Sequence, residues 1–288
     1  MPHKEKPMHW RLQKIRHGLS HLKHALTDKY APGHKNLDPG GAKDLAALPG
    51  LQLMPMGNNL VKLVDGGRTV FLRETGSDAA VYHEIFVKEE YKALTGFLQL
   101  NGIKVGTLVD LGANIGLASR YFIDKFSPQK ILCVEPYTPS FEVAAKNLEG
   151  FSQVAMLKKA VWDKATVPLH LHRHFRDGQD WAMAVKEKPG SLEAGQAEGI
   201  TLHDIIRMPG FENIDVLKVD IEGGEQVIFN PNADTSFLQQ VKVVCIELHK
   251  EVLGCQRIFD TFRKYGFLLF ESEGLLIGYR SGRAGAGL

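Results

Sequence analysis

The sequence predicts a doubly wound α/β protein, and three observations lead there. Beyond residue 103, short apolar runs alternate with helix-length stretches, the pattern of a mostly parallel sheet with helices on both faces. A glycine turn, Gly112-Ala113-Asn114-Ile115-Gly116, follows the first of these runs and opens a helix. The chain closes on GFLLFESEGLLIGYR, which reads as strand, tight turn, strand. Together they describe a Rossmann-like seven-stranded sheet with its last strand antiparallel, preceded by an N-terminal helix and a β-hairpin. With 288 residues, 44% hydrophobic and 24% charged, the chain can bury a large core without disulfides or metals.

The elements follow in order. Residues 1–50 read as a basic amphipathic helix and a Gly/Pro-rich linker. Leu12, Ile15, Leu19, Leu22 and Leu26 recur at spacings of three and four, which on a helix makes one narrow apolar stripe. Lys and Arg outnumber acids around it, so a weak membrane-surface contact or a protein partner competes with simple docking on the chain's own domain. Residues 51–288 form the second unit. Within it, 51–102 hold a hairpin, Leu60–Val64 and Arg68–Leu72 around Asp65-Gly66-Gly67, and a helix over Ala79–Gly102. The Rossmann-like core spans 103–280. Its strands are expected at Thr107–Leu111, Lys130–Val134, Ala155–Val161, Asp215–Val219 and Val241–Leu248, with helices between them and at Glu251–Tyr265. The irregular stretch from Asp180 and Trp181 to Gly199 reads as a loop that could cover an acceptor.

The chemistry begins at the glycine turn. Gly112 lets the backbone bend sharply toward a ligand, Gly116 lets the helix start pack on the strand, and helix N-terminal amides favour an anion. The spacing is G-x-x-x-G, with Asp110 two residues before the first glycine. A dinucleotide fingerprint would be G-x-G-x-x-G with a pyrophosphate on the turn. An acid at that point repels a pyrophosphate and suits a cofactor that carries an ammonium and a sulfonium. The next strand ends on Glu135 and Pro136, where a carboxylate can accept both hydrogen bonds of a ribose diol. Asp110 and Glu135 therefore outline an adenosine-sized slot.

At these residues the sequence resembles the FkbM family of class I S-adenosylmethionine-dependent methyltransferases. The resemblance runs from about Gly76 to Tyr279 through GSD…EIFVKEEY, VDLGANIG, VEPYTPSF…KNL, KAVWD, ITLHDII, LKVDIEGGE and CIELH. It implies S-adenosyl-L-methionine as cofactor and S-adenosyl-L-homocysteine as product. It also implies cofactor contacts from Asp110, Gly112, Asn114, Gly116 and Glu135, with Val161 and Asp163 near the adenine. Ser77 and Asp78 carry over as cofactor or substrate contacts, or else cap the following helix. The resemblance implies an acceptor hydroxyl on a sugar, glycan or specialised metabolite. His203 and Ala165 stand where the family often has an acid and a glycine.

In this topology the fourth and fifth strands open onto the methyl group, so acids at their ends are the catalytic candidates. Asp220 is the first choice for the base or acceptor-orienting carboxylate, with Glu222 and Trp181 as acceptor contacts. His249 is the alternative base, and Glu247 either orients it or binds a hydroxyl. Glu225 reads as a first-turn acid complementing the helix dipole. His170, His172 and His174 alternate on one strand face, and no metal is expected there because alternating polar positions are common on half-exposed hairpins.

Rival readings are a nicotinamide-dependent oxidoreductase, which the missing G-x-G-x-x-G disfavours, and a cofactor-binding protein without catalysis. A net charge of +2 argues against a nucleic-acid partner. The chain has no long apolar span, no secretory leader pattern and three unpatterned cysteines. It is therefore expected to be cytoplasmic, with any peripheral membrane binding confined to its basic helix.

Overall fold

A computed structural model describes residues 45, 48–172, 183–190, 193–222, 224–230, 232–247 and 255–280. The N-terminal stripe and linker up to Asp44, and also His174, Asp180, Trp181, Gly223 and His249, lie outside the described residues.

The central sheet is built from β4 (Thr107–Leu111), β5 (Lys130–Val134), β6 (Val154–Leu157), β11 (Ile214–Val219), β12 (Val241–Glu247), β13 (Leu268–Ser272) and β14 (Leu275–Tyr279). Its order is β13-β14-β12-β11-β4-β5-β6. β14 runs antiparallel between β12 and β13, and the pairs among β12, β11, β4, β5 and β6 are parallel. The sheet is therefore the expected one. Strand alternation sends Leu108, Ile131, Val216 and Val243 to one buried layer, and Val109, Leu132, Leu217 and Val244 to the other. Strands covered on both faces read as unbroken apolar runs, which is why they were legible. Helices α3 (Leu117–Phe126) and α7 (Cys255–Lys264) supply Phe122 and Phe262 to opposite layers. The short α5 (Leu202–Ile206) begins in a capping box between Thr201 and Asp204 and buries Leu202 and Ile205 beside Phe262 in the second layer.

Three expectations need correction. The single strand over Ala155–Val161 is two: β6 stays in the central sheet, whereas β7 (Ala160–Val161) leaves it to pair with β10 (Glu193–Ile200). The loop toward Gly199 is largely strand. β8 (Pro168–His172), β9 (Ala184–Lys186) and β10 join β7 in a second sheet of order β7-β10-β8-β9. Gly195 and Gly199 in EAGQAEGI concealed that strand, since glycine weakens the sequence signal for β structure.

The third correction concerns the helix over Ala79–Gly102. It is α1 (Asp78–Tyr82), a π-helical turn (His83–Val87), a break, and α2 (Lys92–Leu100). At 3.6 residues per turn, Tyr91 would point about 180° away from Tyr82 on one continuous helix. The π turn and the left-handed Glu89 (φ 54°) reset the phase, so Tyr82, Ile85, Tyr91, Leu94 and Leu98 share one core.

Ahead of α1 the expected hairpin, β2 (Leu60–Asp65) and β3 (Arg68–Arg73), gains a third strand, β1 (Leu51–Gly57). Pro55 hid it, and proline is tolerated there because β1 is an edge strand with an irregularity between Pro55 and Gly57. Asn147, in α4 (Thr138–Asn147), fastens this sheet to the core. Its amide nitrogen donates to Phe71 O (3.0 Å) and Ile115 O (2.8 Å), and its oxygen accepts from Phe71 N (2.6 Å).

Candidate active site

The tips of β5, β4 and β11 meet at the glycine turn. Gly112 has φ 72°, and a Cβ there would lie 1.7 Å from the Asp220 carbonyl oxygen. Its tolerance is thus used to bring two strand ends together. Gly116, at φ 79°, lies against Leu148 and Ala144 rather than against a strand. Asn114 holds φ 47°, and its buried Oδ1 has no hydrogen-bond partner among the described residues. The Asn114 amide donates to Glu135 Oε2 (2.9 Å), and the Tyr137 amide donates to Glu135 Oε1 (2.8 Å). Burial raises the Glu135 carboxyl to about 7 despite those two amides.

Asp110 is placed differently from the sequence expectation. It is fully buried, accepts from Ser119 Oγ (2.7 Å) and lies beneath the cavity rather than in its wall. Its counter-charge is Lys218, whose Nζ lies 3.1 Å from Asp110 Oδ1 and 3.3 Å from Asp220 Oδ2. The same Nζ donates to Gly112 O (2.9 Å). Burial alone would lower this ammonium, but the charges of Asp110 and Asp220 outweigh it and raise its pKa. The sequence carried a signal for this. A lone lysine inside the apolar run VLKV needs a buried acid, and the register sets Lys218 directly beside Asp110.

A cavity of about 380 Å³ opens over these tips. Of the expected contacts, Gly112, Asn114, Glu135, Pro136, Val161, Asp220, Glu222 and Glu247 line it. Gly116, Asp163, Ser77 and Asp78 do not. Asp78 is instead buried against Arg73, 2.6 Å from its Nη2, and the Ser77 hydroxyl makes no cap hydrogen bond. Glu225 accepts from Ile221 N (3.0 Å) and so closes the loop at the start of α6 (Glu225–Ile228). Sequence reasoning missed Lys218, Tyr91, Glu84 and Glu90, all in the wall, the last three brought in by the segment between α1 and α2. His170 and His172 do not converge: His170 Nδ1 meets Glu193 Oε1 (2.8 Å) and His172 Nε2 meets Lys188 O (3.0 Å). Among the described residues no group of three metal-ligating side chains forms.

These residues fit an adenosine with an amino-acid tail. Glu135 presents an anchored carboxylate for a diol, Val161 and Pro136 supply an apolar wall, and the buried Asn114 Oδ1 awaits a donor.

The chain is 27% identical to methyltransferase sdnD of Sordaria araneosa over 219 residues, covering 66% of this chain and 82% of that protein. It is 24% identical over 226 residues to the AMB antimetabolite synthetase AmbE of Pseudomonas aeruginosa, covering 65% of this chain but only 10% of the synthetase. Among solved structures, M. capricolum TrmK in complex with S-adenosyl-homocysteine overlaps 63% of this chain and 65% of that one, at 11% identity and a TM-score of 0.33. The profile of the Methyltransferase FkbM domain matches residues 110–269, from the buried aspartate of β4 into β13. That match spans more than half of the chain and every strand tip around the cavity, which displaces the nicotinamide reading: the chain belongs to the FkbM family of methyltransferases, with S-adenosylmethionine as cofactor.

Proposed function

We propose that the chain methylates a hydroxyl oxygen of a sugar, glycan or specialised metabolite. The observation that carries this reading is the row of carboxylates at the tips of β11 and β12. Asp220, Glu222 and Glu247 all line the cavity beyond the glycine turn. When bound, the cofactor supplies an electrophilic methyl carbon on a sulfonium. Glu135 holds the ribose hydroxyls, and Val161 and Pro136 flank the adenine. Asp220 accepts a hydrogen bond from the acceptor hydroxyl, orients it and takes up its proton. Lys218 behind Asp220 keeps that carboxylate in place. Glu247, one strand over, receives a further hydroxyl of a polyol. Similarity to a segment of an antimetabolite synthetase favours a specialised metabolite among these acceptors.

The test uses tritium-labelled S-adenosylmethionine with a panel of sugars, hydroxylated metabolites and amines. The expected product is an ether, and Asp220→Asn lowers its formation about 100-fold while S-adenosylhomocysteine affinity changes less than about threefold. Label recovered on nitrogen would overturn the choice of oxygen. Folded protein that binds no S-adenosylhomocysteine in calorimetry would overturn the whole reading.

A further inference from the structure

The cofactor's α-ammonium needs an anionic partner, because a cation leaving water for a partly enclosed cavity is costly unless it is paired. Asp110 cannot serve, since it lies beneath the cavity and is already balanced by Lys218. The other acids in the wall have obligations too. Asp220 shares Lys218, Glu84 pairs with Lys88 at 2.7 Å, and Glu135 accepts from two amides. Glu222 and Glu247 have interactions of their own, although the buried Glu222 Oε2 accepts no hydrogen bond from a described residue, and Glu273 is solvent-exposed on the turn between β13 and β14. Glu90 differs from all of them. It is partly buried, lines the cavity, and its carboxylate makes no hydrogen bond or ion pair with any described residue.

Its position suits the tail rather than the adenosine. Glu90 interacts electrostatically with Asp220 and Lys218 of β11, with Cys245 of β12, with Tyr91 beside it, with Glu84 and with Glu273. Glu135 stands at the end of β5, two strands from β11 and so about 10 Å across the sheet. We propose that Glu90 is the carboxylate that receives the α-ammonium of S-adenosylmethionine. The assignment rests on the cofactor orientation proposed above, with the ribose at Glu135.

Burial and the nearby Asp220 raise the Glu90 carboxyl to about 7, against a weaker lowering by Lys218, so a cationic ligand drives off its proton. Binding near pH 7 therefore releases protons from Glu90, and from Glu135 as it ionises to accept the diol.

Titration calorimetry of wild type, Glu90→Gln and Glu90→Asp tests this with three ligands. These are S-adenosylmethionine, S-adenosylhomocysteine and 5′-methylthioadenosine, which lacks the amino-acid tail. Glu90→Gln is expected to weaken the first two alike, by about 10- to 100-fold, and to leave the third within about twofold. Glu90→Asp, which keeps the charge, recovers part of the loss. In buffers of different ionisation heat, Glu90→Gln releases fewer protons than wild type at pH 7. Unchanged affinity for S-adenosylmethionine in Glu90→Gln would overturn the assignment. So would an equal loss for 5′-methylthioadenosine, which would mark general damage to the cavity. Wild-type protein that binds none of the three would instead sink the cofactor orientation itself.

Discussion

Lys218 sits near the end of a buried strand between two carboxylates that originate more than a hundred residues apart. Desolvating an ammonium is costly, and the ion pairs with Asp110 and Asp220 offset that cost only while all three are present. Lys218→Met would leave the fully buried Asp110 without its counter-charge. The expected result is a loss of ~3–5 kcal/mol in urea unfolding. A midpoint unchanged from wild type would show that the Ser119 hydroxyl alone satisfies Asp110. At this scale the sequence pointed to the acid but not to the lysine that pairs with it. Asp110 was legible as a candidate from its place before the glycine turn, whereas its pairing depended on β11 lying next to β4.

Whole elements were legible where their neighbours leave no choice. Strands buried on both faces carry continuous apolar runs, and the terminal β13–β14 hairpin announced itself through Glu273-Gly274. The seam it makes with β12 is tight. A Cβ on Gly278 would come 2.7 Å from Val244 Cγ2 and 2.9 Å from Leu269 Cδ2. Gly278→Ala is accordingly expected to cost ~1–3 kcal/mol by overpacking, read from the thermal midpoint, with S-adenosylhomocysteine affinity retained in the folded fraction. Stability equal to wild type would mean that the side chains of the seam yield freely. The break between α1 and α2 could have been found from phase alone, because Tyr82 and Tyr91 cannot share a face of one regular helix. β1 and β10 could not, since Pro55 and the glycines of EAGQAEGI erase the local signature and only pairing with β2 and β8 makes them strands.

For the molecule as a whole, the two carboxyls raised to about 7 shape the response of stability to pH. Between about 4.5, the ordinary glutamate value, and about 7, folded protein holds protons on Glu90 and Glu135 that unfolded chain has released. Stability therefore falls as pH rises through that window and levels off above it. Surface carboxylates held low by hydrogen bonds, such as Asp204 with the Thr201 side chain, act below the window and in the opposite sense. The double variant Glu90→Gln/Glu135→Gln is expected to flatten the decline, which amounts to on the order of 3 kcal/mol per site at most. Urea unfolding at pH 5 and pH 7.5 measures it, and an equal slope in both proteins would refute the assignment.

Taken alone, the amino-acid sequence determined the layered α/β architecture, the glycine turn with its flanking acids, and the family. Each of these is written in residues close together along the chain, as periodicity or as a short motif. Tertiary structure decided the rest: that Asp110 is neutralised by Lys218 of the neighbouring strand, and that Asp78 belongs to Arg73. It also decided that Glu90 arrives at the cavity from a segment ahead of the core. Charges pair across strands and between elements according to register and packing, and neither is encoded in the local pattern around any one of them.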